Sequence, residues 1–171
     1  MPLRHALGTI AALAPGDHVC FIYDDPATAL ALAAQVLARG LARNGYAIYV
    51  AGEHPTERVD AALASQGVDV ARERQRDALL IRSTWQEVFP TGEVAPEAMA
   101  TFIATLIDQA RARGFSEIWA VTDLTGAMRI NVPHEHFTRY EALLYQAFTQ
   151  NPIVGICTYN RQSLPPAELR R

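Results

Sequence analysis

The stretch "GDHVCFIYDDPATAL", from Gly16 to Leu30, decides the fold. Val19 to Tyr23 is a continuous apolar run rather than an alternating one, which is the pattern of a strand buried on both faces. Asp24 and Asp25 end the run, and Pro26 opens a helix. In that helix Leu30, Ala33, Leu37 and Leu41 recur at helical spacing, and Gly45 lies just past its end. A buried strand that feeds straight into an amphipathic helix is the start of a crossover unit.

Reading outward, the same alternation repeats. Ala47–Ala51, Ala78–Arg82, Glu117–Thr122 and Ile153–Tyr159 read as four more strands. Between them, a helix from Pro55 carries Val59, Leu63 and Ala64 and stops at Gly67. A helix over Pro96–Arg113 buries Met99, Phe102, Ile103, Leu106, Ile107 and Ala110, and Gly114 ends it. Another over Pro133–Gln150 turns Phe137, Tyr140, Leu144 and Phe148 inward. Strands separated by helices of this length need crossover connections, hence a mostly parallel sheet with helices on both faces. The expectation is one α/β domain over residues 1–171, a three-layer α/β/α sandwich around a five-stranded or slightly larger sheet. Residues 1–16 form a lead-in and residues 162–171 a polar tail.

Composition narrows the function. The chain has 171 residues, half of them hydrophobic, and a net charge of −3 with no basic block. That argues against non-specific nucleic-acid binding. No apolar run approaches the roughly 18 residues that a membrane span requires. Two cysteines and no export signal predict reduced thiols and a cytoplasmic location. All fifteen basic residues are arginine. This removes a phosphate-loop lysine, a Schiff-base lysine and a lysine general base together. No nucleophile elbow, zinc-protease motif or paired Cys-x-x-Cys is present.

The turn after the first strand is where a phosphate-binding loop would place glycines and a lysine. Here it holds Tyr23, Asp24 and Asp25. At about 4 Å each carboxylate repels a phosphate by around 1 kcal/mol even in bulk water, and by more near a protein surface. The helix N-terminus returns only about 0.3–1 kcal/mol. Repulsion wins unless a metal intervenes, so nucleotide hydrolysis is not expected.

The order and spacing of "HVCFIYDD", "LARGLARNGYAIYVAGE", "VTDLTGAM", "YEALLYQAF" and "ICTYNRQSLP" resemble the MEDS domain. This is the sensory domain of methanogen and methylotroph regulators such as the dichloromethane-responsive repressor. The resemblance spans essentially the whole chain. It implies a degenerate RecA-like fold that binds a small one-carbon or hydrocarbon-derived ligand, without catalysis, within transcription or kinase signalling. Where this chain has Asp123, family members often have glutamate, and where it has Leu124 and Thr125 they often have Met-Trp.

In an open parallel sheet the ligand site lies beyond the carboxyl ends of the strands. Those ends supply Tyr23, Asp24, Asp25, Glu53, His54, Trp85, Asp123, Thr125, Tyr159 and Arg161 as candidate ligand-binding residues, a mixed polar and aromatic set. Asp24 or Asp25 also suits the N-cap of the next helix. Asp123 stands where a metal-binding aspartate of a RecA-like ATPase would stand.

A second group lies elsewhere. His18 and Cys20 share one face of the first strand. RecA-like strand order places the fifth strand beside the first and Cys157 near Cys20. A thiol switch and a metal site are both readable there, but buried cysteines in apolar strands are more often simple hydrophobes, and no metal is expected. No cofactor is identified. The expected partners are a small molecule and a regulatory protein met in trans, with a homodimer open, and neither nucleic acid nor membrane. The alternatives are a nucleotide-binding or hydrolysing RecA-like module and a pure protein-interaction module.

Overall fold

A computed structural model describes residues 10–50, 54–88, 96–125 and 134–163. The strands are β1 (His18–Tyr23), β2 (Tyr46–Val50), β3 (Leu79–Arg82), β4 (Ile118–Asp123) and β5 (Ile153–Asn160). The helices are α1 (Pro26–Ala42), α2 (Thr56–Ser65), α3 (Val70–Gln75), α4 (Trp85–Val88), α5 (Pro96–Ala112) and α6 (His134–Gln150), and a 3₁₀ turn follows at Arg161–Ser163. The five strands form one all-parallel sheet in the order β1-β5-β4-β2-β3. The chain therefore moves across the sheet in one direction through β1, β2 and β3, then reverses through β4 and β5. Crossovers of one hand place the helices of the outward path on one face and those of the return path on the other. Accordingly α1 packs on β2 and β4 with α2 beside it, while α6 packs on β5 and β1 against α5.

The sheet order sets the burial. All residues of β2 and β5 are buried, whereas the edge strands β1 and β3 are only partly covered. The continuous apolar run of Val19–Tyr23 thus sits at an edge, with Cys20 and Ile22 exposed. The expectation that both cysteines are buried is corrected: Cys157 is buried and Cys20 is not. On α2, Val59 and Leu63 are buried as expected, but Ala64 faces outward and Ala62 packs toward the core instead. The stripes of α1 and α5 fall on the core as read. The sequence reading did not contain α3 or α4. Leu144 and Phe148 of α6 are buried; the side chains of Phe137 and Tyr140 lie outside those described.

Two glycines fix the spacing between layers. A Cβ on Gly40 of α1 would come within 2.4 Å of the Trp119 ring, and one on Gly155 of β5 within 2.0 Å of Phe148. The guanidinium groups of Arg39 and Arg43 lie 5.8 and 6.0 Å from the ring centre of the fully buried Trp119. Its indole N–H donates to Glu117, which also receives a two-pronged bond from Arg43. Arg43 holds the Glu117 carboxyl below the usual carboxylate range.

Candidate functional site

β1, β5 and β4 are neighbours, so their carboxyl ends form one edge, and a buried polar network occupies it. The Tyr23 hydroxyl donates to Asp123 Oδ2 at 3.1 Å and lies 3.1 Å from Thr125 Oγ1. Thr125 N donates back to Asp123 Oδ1 at 2.9 Å, and Asn160 N donates to Thr125 Oγ1 at 3.0 Å. Asp123 is 2% exposed and Thr125 fully buried. A carboxylate carried this deep is tolerable only when hydrogen bonds replace the water it gave up. The network does that and ties the ends of the three strands together.

The two acids of the turn divide their work. Asp25 caps α1, accepting from Ala27 N, Thr28 N and Thr28 Oγ1 at 3.1, 3.2 and 3.0 Å. The bond from the Ala27 N–H is the main reason its carboxyl titrates below the ordinary range. Asp24 points to solvent and pairs with Arg161 Nε at 2.9 Å across the end of β5. The orphan amides that a phosphate would use at this helix start are therefore already occupied by a side chain.

Two elements away, His54 is buried and donates from Nε2 to the carbonyl of Pro26 at 3.2 Å. It helps line a groove of about 630 Å³ between α1 and α2. Asp25 and Arg58 line the same groove, together with the apolar Leu30, Ala31 and Ala62. Arg58 was not among the residues singled out from sequence. Nothing local marked it, because its place in the groove depends on α2 packing against α1. Asn160 enters the network through its backbone amide, not its side chain.

The structure therefore brings together Tyr23, Asp123 and Thr125 in the buried network, Asp24 with Arg161 at the rim, and Asp25 with His54 at the groove. Tyr159 is buried in the core on the opposite face of β5 from Asn160. Trp85 opens α4, whose Glu87 accepts from Thr84 N and Ser83 Oγ at 3.1 Å; the Trp85 side chain is outside those described. Glu53 also falls outside the described residues. On the far face of the sheet, Ile48, Met99, Phe102, Leu106, Ala120 and Phe148 help enclose a void of about 30 Å³. Its lining is almost wholly apolar, so it offers a polar ligand few hydrogen-bond partners.

His18, Cys20 and Cys157 form a separate cluster toward the other end of β1. Cys20 and Cys157 are register partners on adjacent strands, as the RecA-like order implied. His18 Nε2 lies 3.2 Å from Cys157 Sγ, and its ring meets Phe148 edge-on at 5.0 Å. Burial lowers the His18 pKa. Among the described residues no group of three or more His, Cys, Asp or Glu is arranged to hold a metal ion. Nor is any described helix long and apolar enough to cross a membrane.

A parallel α/β domain of RecA-like fold, with a self-satisfied polar edge where a phosphate loop would be, is the class these features define. The chain belongs to the MEDS family: the model described as "MEthanogen/methylotroph, DcmR Sensory domain" matches residues 17–171. Among solved structures it is similar to the flagellar accessory protein FlaH from Methanocaldococcus jannaschii. That match has a TM-score of 0.65 and 14% identity, and covers 92% of this chain and 67% of that one; at this identity it speaks for the fold alone. No curated protein matches. Family membership makes this a sensory domain.

Proposed function

We propose that the chain senses a small organic molecule without turning it over. The ligand sits at the carboxyl edge of the sheet, in the groove between α1 and α2, and a regulatory protein reads the change in trans. The observation that carries this reading is the buried Tyr23–Asp123–Thr125 network. In a RecA-like ATPase the corresponding aspartate needs access to a metal and a phosphate, whereas here its oxygens are spent on Tyr23 and Thr125. Asp25 already fills the amide cradle of α1. A groove lined by Asp25, His54 and Arg58 together with Leu30 and several alanines suits a small molecule with both a polar group and a short apolar body. To signal, that molecule must bind two conformations with different affinity.

Thermal melting against a panel of short alcohols, short carboxylic acids and nucleotides with magnesium tests this. A ligand that binds only the folded state raises Tm. The expected result is a saturable rise with a short organic molecule, weakened by Arg58→Ala, and none with ATP or GTP at millimolar concentration. A nucleotide-dependent rise with turnover to the diphosphate would replace sensing by hydrolysis. Saturable binding by no member of the panel would remove the ligand.

A further inference from the structure

We infer that Cys20 and Cys157 form a reversible intramolecular disulfide when a hydroperoxide reaches the uncovered face of β1, with His18 taking the proton from Cys157. This inference stands on β1 and β5 and is independent of the ligand proposed for the groove. Three observations carry it. First, Cys20 and Cys157 are direct register partners. Adjacent strands lie about 4.7–4.9 Å apart, inside the roughly 4.4–6.8 Å between Cα atoms that a disulfide spans. Register partners in a parallel pair also project to the same face, so the two sulfurs share one side of the sheet. Second, the two thiols differ in access. Cys20 is exposed because β1 is an edge strand, whereas Cys157 is buried one strand inward. Third, an imidazole nitrogen lies 3.2 Å from the buried sulfur. Burial lowers that ring's pKa and so favours the neutral form, which accepts a proton.

The division of labour follows from access. The Cys20 thiolate attacks the outer oxygen of the peroxide, the O–O bond breaks, and the sulfur becomes a sulfenic acid as the oxidant leaves as an alcohol or water. Cys157 then attacks the Cys20 sulfur. Its proton passes to His18 Nε2, the S–O bond breaks, and the departing hydroxide takes up a proton as water. Two thiols lose two protons and two electrons, and the peroxide takes them up to leave as an alcohol, or water, and a water. A dithiol reductant reverses the bond. A crosslink at this position ties β1 to β5 three residues before Tyr23, the hydroxyl donor of the edge network.

The test begins with the reduced full chain and stoichiometric hydrogen peroxide, followed by alkylation in denaturant and intact mass analysis. The expected product has lost two hydrogens, resists alkylation at both cysteines and maps as a peptide containing Cys20 joined to one containing Cys157. Cys157→Ser stops at the sulfenic acid, trapped by dimedone on Cys20. His18→Gln, checked for an unchanged melting profile and circular dichroism, closes the bond roughly tenfold or more slowly than wild type. If His18→Gln does not fold, the mapping of the wild-type product and the dimedone trap still decide. Oxidised Cys20 with Cys157 still free to alkylate, or disulfides only between chains, would overturn the inference. Equal dimedone labelling of wild type and Cys157→Ser would overturn it as well.

Discussion

Thr125 shows how much one side chain can organise. Its hydroxyl accepts from the Asn160 amide and contacts the Tyr23 hydroxyl, while its own amide is held by Asp123. Replacing it by valine keeps the volume and removes the oxygen. The Asn160 N–H then loses its acceptor in a region closed to water, a loss that costs about 1–3 kcal/mol. Chemical denaturation of Thr125→Val should show that drop, and Thr125→Ser should recover most of it. An unchanged midpoint in Thr125→Val would mean that water enters the edge. Asp123, Tyr23 and Thr125 could be named from sequence as strand-end residues. That they bond to one another, rather than to a ligand, could not, because the strands carrying them are about a hundred residues apart.

At the level of elements, the close contacts of the two glycines override local preference. Gly40 lies in the last turn of α1, where alanine would favour the helix by at most about 0.8–1 kcal/mol. The Cβ would nevertheless meet the rigid Trp119 indole at 2.4 Å. Overpacking of this kind costs about 1–3 kcal/mol, so steric conflict wins over propensity. Gly155→Ala is a parallel case: losing the glycine's backbone freedom would favour β5 by about 0.5–1 kcal/mol, yet the added methyl would overlap Phe148. Gly155→Ala should lower stability by about 1–3 kcal/mol in urea melts, and adding Phe148→Leu should return part of the loss. Strict additivity of the two changes would argue that the contact does not matter. Both α1 and β5 were legible from their apolar patterns and flanking Pro and Gly. The short helices α3 and α4 were not. Six and four residues with few apolar positions give no period to read, and α3 is held by its Asp69 cap and by ion pairs at Arg74 and Arg76.

Across the whole molecule, sheet order governs access and stability together. β5, β4 and β2 are covered on both faces, whereas β1 presents Cys20 and Ile22 to solvent at one edge. Native-state hydrogen exchange should therefore be slowest for the amides of β5 and β4 and measurably faster in β1. Equal protection in all three would indicate that another surface covers the β1 edge. The same order places the acidic turn, the strand ends and His54 at one end, and the His18–Cys157 pair on the far face of the sheet.

By itself, the sequence determined the alternation of buried strands and amphipathic helices, and so the parallel α/β class. It also determined that no lysine stands at the phosphate turn and that the chain resembles a sensory family. These are local properties, written in hydrophobic period, capping residues and composition. Only the tertiary structure decided that Asp123 is sealed by Tyr23 and Thr125, that Asp25 caps while Asp24 pairs with Arg161, and that Cys20 faces solvent beside a buried Cys157. Each of these depends on which strand lies next to which. A continuous apolar run reads alike at an edge and in the middle of a sheet, so its neighbours, and hence its access to water, emerge only when the chain has folded.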